Sequence, residues 1–270
     1  MSGPIVPKSG KAKSCHVHIG RAAGVAMRII FSRKGFDSTA GGGASPIVDN
    51  RPVSLPIPDS KGLSNTTYDD LGLGEYAARA SRGKLGPADY CHHDPMFLDN
   101  GTAILGQVGS SQSHLANQRV RAGDVFLFFG LFDGKEMGRH HRIFGYLLIE
   151  EIVPLAGADE RVRQMFLDLN HPHAIGMHGK NDTLYLGEGR KASRATDRLR
   201  LTAEGEVAAM WARPPWLRRG EITYFPDRDE NWPEGRLYRV GNGQEFVADI
   251  GQRKAPREWL AEIIAEIRRD

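Results

Sequence analysis

The sequence predicts a single compact α+β domain with a central mixed or barrel-like β-sheet, peripheral helices and a C-terminal amphipathic helix. Its 270 residues are 40% hydrophobic and 26% charged, a globular composition that excludes disordered, collagen-like and coiled-coil chains. Strand and helix patterns both occur, and neither an internal repeat nor a Pro- or Ser-rich linker divides the chain. We assign residues 27–270 to this domain. Residues 1–26 contain four cations and no acid, and we interpret them as a flexible or appended tail.

The N-terminal half contains short elements separated by glycine-rich segments. An apolar run at 28–32 predicts the first strand, and the loop that follows contains Gly41, Gly42 and Gly43. Ile47 and residues 53–58 predict a hairpin whose second strand stops at its prolines. A capping pattern at Thr67 predicts a helix over 66–82. A second helical stretch is predicted at 110–118.

The C-terminal half contains the most hydrophobic segment of the chain. Residues 125–130 predict a strand buried on both faces, and a connection at 131–141 leads to a partner strand at 142–149. Apolar spacings of three and four predict helices over 160–169 and 256–269. Short strands are expected at 183–186, 199–202 and 223–225.

An anion-binding loop is predicted directly after the first strand. Arg33 and Lys34 leave that strand and enter the glycine-rich loop, where unhindered N–H groups can converge with the two cations on a phosphate. The predicted phosphate- or nucleotide-binding residues are Arg33, Lys34, Ser38, Gly42, Gly43 and Ser45. The alternative is a solvated charge pair at a strand end. Neither a Walker loop nor a dinucleotide-binding glycine motif is present.

Acid–base and nucleophilic candidates cluster before Pro95. Cys91, His92 and Asp94, together with Asp37, are the predicted catalytic residues, because they offer a nucleophile, a base and acids. Side chains alternate along an extended segment, so at most two of the adjacent residues can act together. Cys91 can equally be a small buried residue.

Histidines are concentrated in one part of the chain. Eight of the ten lie between positions 92 and 178: His92, His93, His114, His140, His141, His171, His173 and His178. Because no metal-binding spacing occurs, a metal site would need ligands from distant segments. We therefore predict hydrogen-bonded or surface histidines and assign no metal ligands.

A basic region spans residues 190–219. Its arginines suit phosphate contact, and Trp211 and Trp216 suit base stacking. The predicted nucleic-acid-binding residues are Arg194, Arg198, Arg213 and Arg218. An equally acceptable interpretation is a solvated basic face whose tryptophans are turned into the core.

Net charge, cysteine content and hydropathy limit the class of protein further. The net charge of +3 is too small to require an anionic partner, and two cysteines cannot form a disulfide framework. No segment approaches the ~20 apolar residues of a membrane helix. We therefore expect a cytoplasmic protein with no membrane contact.

The motifs at 28–38, 42–47 and 91–95 resemble the bacterial and phage nucleotide modification associated domain family, third type. The resemblance extends from residue 27 to the C-terminus and implies an α+β domain associated with DNA base modification systems. The Gly123-Asp124 turn into a buried strand, followed by residues 144–151, also resembles PUA-like barrels, including the ASCH and EVE groups that hold nucleic acids or modified bases.

Two functions from different classes follow from these residues, and a purely structural or partner-binding role is the third alternative. The first is a nucleotide- or base-modifying protein, with a nucleotide or DNA as substrate, in which Arg33 and Lys34 hold phosphate and Asp37, His92 or Asp94 supply acid–base chemistry. The alternative is a non-catalytic reader of modified bases with a pocket lined by Phe126, Phe128 and Tyr146. No motif identifies a cofactor, and other DNA-modification proteins are candidate partners.

Overall fold

Strand β1 (Met27–Arg33) begins the protein's sheet at the position predicted from residues 28–32. The structure is a computed structural model and describes residues 26–176, 178–238 and 244–269. The predicted tail therefore lies, except for residue 26, outside the described residues. Ten more strands follow in these ranges: β2 (Ser45–Val48), β3 (Arg51–Pro52), β4 (Met96–Phe97), β5 (Thr102–Gln107), β6 (Val125–Gly134), β7 (Gly138–Pro154), β8 (Thr183–Lys191), β9 (Met210–Ala212), β10 (Arg236–Tyr238) and β11 (Glu245–Gly251).

Nine strands form one curled sheet that resembles half of a barrel. The order is β11–β1–β6–β7–β8–β5–β4, and the β2–β3 hairpin attaches to the end of β6. The sheet is mixed, because β1 and β2 pair parallel to β6 whereas the other neighbours are antiparallel. Strands β9 and β10 form a separate two-stranded sheet. The predicted α+β class with a mixed, barrel-like sheet is confirmed.

The predicted central hairpin is present, with longer strands than expected. Strands β6 and β7 pair antiparallel from Val125↔Leu148 to Gly134↔Gly138, so the turn between them comprises only residues 135–137. The connection predicted at 131–141 is therefore too long. Phe132 is fully buried, which explains why pairing continues through a stretch whose charged residues suggested a loop.

Five α-helices surround the sheet in the described ranges: α1 (Gly74–Ala80), α2 (Gly109–Asn117), α3 (Glu160–Asp168), α4 (Pro172–Ile175) and α5 (Lys254–Ile267). The predicted helices near 110–118, 160–169 and 256–269 are confirmed. The helix predicted over 66–82 begins only at Gly74, because Thr67 and Asp70 close a local turn and Gly72 has a left-handed φ of 65°. None of these helices is long and apolar enough to cross a membrane.

The central strands are buried on both faces, as the sequence predicted. Leu127 and Phe129 of β6 pack in a cluster that contains Leu260 and Ile264 of α5. The alternate residues of β6, including Phe128, pack on the other face in a second cluster. Such burial fixes the register of β6, because a one-residue slip would exchange the two sets of side chains.

Two predicted strands in the C-terminal half are not formed. Residues 223–225 contain Tyr224 with a φ of 62°, and an isolated bridge from Ile222 to Ala248 takes the place of a regular strand pairing. Residues 199–202 contain the end of a 3-10 turn and isolated bridges at Arg200 and Thr202. Left-handed or turn backbone interrupts strand pairing in both segments.

Candidate functional site

The first strand delivers Arg33 and Lys34 to the edge of a cleft, where both already have acidic partners. Arg33 forms an ion pair with Asp37, and Lys34 Nζ lies 3.2 Å from Glu245 Oε1. The Glu245 side chain is 1% exposed and also accepts hydrogen bonds from Ser32 and Gln107. Its burial raises the pKa of Glu245, although Lys34 opposes this shift. A ligand of Lys34 would therefore share the ammonium group with a buried carboxyl group.

The glycine-rich loop is closed by hydrogen bonds within itself. Asp37 Oδ1 accepts the backbone N–H groups of Thr39 and Ala40, and the Gly42 N–H donates to the carbonyl oxygen of Asp37. Gly43 packs so tightly that a Cβ would lie 2.0 Å from the carbonyl oxygen of Ala80. The N–H groups of Thr39, Ala40 and Gly42 therefore already donate to Asp37. A bound phosphate would have to displace Asp37 from them.

Of the six residues predicted to bind phosphate, the structure brings Arg33 and Lys34 to the cleft. Ser38 and Gly42 are exposed, and neither lines the two cavities described below. Ser45 is buried, and its Oγ accepts the N–H of Leu55. The loop therefore positions the two cations, while its own polar groups hold its shape.

The segment at 91–94 alternates direction, as an extended chain must. His92 lines a smaller cavity and His93 lines a larger one, whereas Asp94 reaches both. Cys91 is fully buried beside Phe36 and Tyr68, and burial raises the pKa of its thiol to about 12. The structure therefore brings His92 and Asp94 together and places Cys91 in an apolar cluster.

The smaller cavity, which we call the histidine pocket, has a volume of about 370 Å³ and is lined by His92, His173 and His178 together with Arg33, Lys34 and Asp94. The rings of His173 and His178 stack with centroids 4.4 Å apart, and the ring of His92 lies 5.1 Å from that of His173. Burial lowers the pKa of His92 to about 4, although Asp94 opposes this shift. The His92 imidazole is therefore neutral at pH 7.

Two buried carboxylates lie beside imidazoles in this region. Asp182 Oδ1 lies 2.5 Å from His173 Nδ1, and Asp182 Oδ2 lies 3.6 Å from His178 Nδ1. Asp94 Oδ1 accepts the N–H of Gly106 at 2.8 Å and lies 3.5 Å from His171 Nε2. Burial favours the neutral acids, but the adjacent imidazoles outweigh it and lower the pKa of both Asp94 and Asp182 well below the ordinary range. Both carboxylates are therefore ionised at neutral pH.

The larger cavity, which we call the basic cavity, has a volume of about 760 Å³ and shares Lys34, Gly35 and Asp94 with the lining of the histidine pocket. Its other cations are Arg51, Lys191 and Arg194, and its acids are Asp49 and Asp94. Phe97 and Phe144 add apolar surface, and Lys191 Nζ lies 5.6 Å from the centre of the Phe97 ring. Four cations, two acids and aromatic rings suit an anionic ligand that has an apolar part.

Of the four residues predicted to bind nucleic acid, Arg194 is at the cleft. Arg194 lines the basic cavity, but Arg198, Arg213 and Arg218 line neither cavity, and Arg198 is paired with Glu262. Trp211 and Trp216 are buried in the core, so they are not available to stack on bases. The reader pocket predicted from Phe126, Phe128 and Tyr146 is wrong, because these rings are at most 1% exposed and pack in the core.

Sequence reasoning missed His173 and His178, which line the histidine pocket, and the buried acids Asp182 and Glu245, which contact its lining residues. The concentration of histidines between positions 92 and 178 was the available signal. Spacing alone did not show that α4 and the segment after it bring His173 and His178 against His92. Strand β11 places Glu245 beside Ser32 in the sheet, a contact between residues 213 positions apart.

The fold and cleft define an α+β domain whose curled mixed sheet holds a histidine-rich pocket beside a basic cavity. The family model described as nucleotide modification associated domain 3 matches residues 28–249, and the chain belongs to this family. The predicted family is therefore confirmed, and membership indicates a role in nucleotide or DNA modification. No curated protein and no solved structure matches the chain, so the PUA-like resemblance stays a prediction.

Proposed function

We propose that the protein is an enzyme that binds a nucleotide, free or within DNA, across the two joined cavities and modifies it at the histidine pocket. One observation carries this proposal: Lys34 and Asp94 line both cavities, so the cavities lie side by side and one ligand can contact residues of both. The volume of the basic cavity, about 760 Å³, lies within the range of small-molecule sites.

The basic cavity supplies the charge that a phosphate group requires. Lys191 and Arg194 are exposed at and just beyond the end of β8, and Arg51 is exposed on the β2–β3 hairpin. Phe97 offers a partly buried ring beside Lys191. In the proposed complex these cations hold phosphate, while the aromatic side chains contact the sugar or base.

The histidine pocket supplies groups that suit proton transfer. His92 is neutral at pH 7 and can accept a proton, and the ionised Asp94 carboxylate lies on the same side of the 91–94 segment. Asp37 is occupied by Arg33 and by its own loop, so we assign it to loop structure rather than to acid–base chemistry. We propose that Asp94, with the neutral His92 imidazole beside it, supplies the acid–base chemistry.

Binding to nucleotides across a salt series tests this proposal. The panel contains duplex DNA, single-stranded DNA and the four deoxynucleoside monophosphates, and the variant is Lys191→Ala/Arg194→Ala. Both residues are exposed, so the variant should fold normally. If both contact phosphate, we expect at least tenfold weaker DNA binding at low salt and a salt slope smaller by about two.

Arg228→Ala is the matched control, because Arg228 is exposed and lines neither cavity. It should leave affinity within about twofold of the original protein. Equal losses in the control and in the double variant would contradict binding in the cleft. Tight, salt-insensitive binding of one monophosphate would identify a free nucleotide as the substrate and would contradict action on DNA.

A further inference from the structure

We propose that His92, His173 and His178 bind a divalent first-row transition-metal ion, with Asp182 as the residue that positions two of them. The ligand atoms of the three side chains all lie within 4.8 Å of one another. Nitrogen ligands at ~2.0–2.1 Å around a tetrahedral ion are ~3.3 Å apart, so small ring rotations bring the set to bonding distance. The inference concerns the pocket of the proposed function, but its test requires no nucleotide.

Asp182 gives the two imidazoles the orientation that a metal site needs. Its carboxylate is buried and faces Nδ1 of both His173 and His178, which leaves Nε2 of each ring as the free ligand atom. Metal-binding histidines usually direct their second nitrogen at a carboxylate in this way, which fixes the tautomer and makes the ligand nitrogen more basic. The backbone N–H of His178 also donates to Asp182 at 3.0 Å, so the carboxylate holds the His173 ring and the chain at His178.

The His173 ring packs directly against the backbone of Gly106. A Cβ on Gly106 would lie 2.2 Å from the His173 ring, so a glycine in β5 is what allows the imidazole to lie against the sheet. His178 has more freedom, because its buried Nδ1 has no hydrogen bond and is 3.6 Å from Asp182. A rigid His173 and a His178 that can approach Asp182 are consistent with a site that closes on an ion.

The donor set and its exposure define the class of ion. Three imidazole ligands suit Zn²⁺, Fe²⁺ or Co²⁺ and do not suit Mg²⁺ or Ca²⁺, which take oxygen ligands. All three histidines line the histidine pocket, so the remaining coordination positions of a bound ion would face the cavity that contains Asp94. Three protein ligands and an open position are typical of catalytic rather than structural metal sites.

Cobalt titration of the chelator-treated full chain tests the proposal. The probe is Co²⁺, followed by its visible absorption, with Zn²⁺ competition and elemental analysis for stoichiometry. We expect one equivalent of Co²⁺ that Zn²⁺ displaces and Mg²⁺ does not. His92→Ala and His178→Ala should each weaken binding at least 100-fold, and Asp182→Asn should weaken it 10- to 100-fold with the ligands retained.

His93→Ala is the matched control, because His93 is adjacent in sequence but lines the basic cavity. It should bind Co²⁺ as the original protein does, and circular dichroism should show that every variant is folded. Cys15, His16 and His18 are also closely spaced, so the titrations use a background in which these three are alanine.

Two outcomes would overturn the inference: no stoichiometric Co²⁺ binding by the background protein, or the same loss in His93→Ala as in folded His92→Ala. The proposed function fails separately, through nucleotide binding that does not respond to Lys191→Ala/Arg194→Ala. Loss of metal binding with an intact response to that double variant would therefore overturn this inference alone.

Discussion

The histidine pocket and the basic cavity share three residues but differ in how their side chains are held. In the histidine pocket, His173 and Asp182 are at most 4% exposed in their side chains and are bound to each other. In the basic cavity, Lys191 and Arg194 are exposed and form no ion pair with any residue the structure describes. The fold therefore fixes the geometry of the histidine pocket, whereas these two cations of the basic cavity are free to bind a ligand.

Stability should separate the two cavities most strongly. Asp182→Ala leaves the His173 ring and the His178 N–H without their buried acceptor, so we expect the free energy of unfolding to fall by about 3 kcal/mol. Lys191→Ala removes an exposed side chain and should change that free energy by at most about 0.5 kcal/mol. Urea denaturation measures both. Similar changes in the two variants would contradict the distinction between the cavities.

Lys34 lies where the cavities meet, and its structural role can be measured by a double-mutant cycle. Lys34→Met leaves the buried Glu245 carboxyl group without its cation and should cost about 2 kcal/mol. Glu245→Gln retains a carbonyl oxygen for Ser32 and Gln107 but carries no charge. The double variant should therefore recover most of the loss, and strictly additive free energies would show that the ion pair contributes nothing.

A histidine outside both cavities provides a reference for pH dependence. His140 Nε2 lies 3.2 Å from Arg142 Nη1 and its Nδ1 lies 2.9 Å from the Gly138 carbonyl oxygen, so the neutral ring satisfies both neighbours. Burial, with Arg142 adding to it, lowers the pKa of His140 below its usual 6.5. The unfolded chain thus binds the proton first, and stability is lost as the pH falls below ~6.5.

This histidine should contribute up to about 1.4 kcal/mol of that loss per pH unit below ~6.5. Denaturation of the original protein and of His140→Gln between pH 7 and 5 measures the contribution. Identical pH dependence in the two proteins would show that His140 does not titrate differently on folding.

Cys91 should show the smallest functional effect. Its thiol is buried and its pKa is raised to about 12, so the reactive thiolate is scarce at neutral pH. In a Cys15→Ser background, we expect iodoacetamide to modify the native protein at least 100-fold more slowly than the denatured chain. Cys91→Ala should leave nucleotide affinity within about twofold. Rapid labelling of native protein would reopen the nucleophile interpretation.

The sequence predicted the parts of the fold that depend on local pattern. Strand β6 and helices α3 and α5 carry their periodicity in contiguous residues, and all three were located correctly. Strand β11 was missed, because Glu245 sits in it as a buried acid whose partners Ser32 and Lys34 come from the other end of the chain. Long-range pairing of this kind leaves no local signal.

The site was predicted in part for the same reason. Arg33, Lys34, His92 and Asp94 were found through their sequence neighbours, and all four line the histidine pocket. The loop was expected to offer free N–H groups, but Asp37 already binds them, since a short acidic side chain in a turn readily accepts the N–H groups that follow it.

Hydrogen exchange with a bound nucleotide tests the central claim most directly. The protein is saturated with whichever DNA or deoxynucleoside monophosphate of the panel binds most tightly, and amide exchange is compared with the free protein. We predict slower exchange at 34–37, 49–54, 92–94 and 191–194, four segments that contribute to the lining of the two cavities. Protection confined to 210–236, or no binding by any member of the panel, would contradict the assignment of the cleft as the functional site.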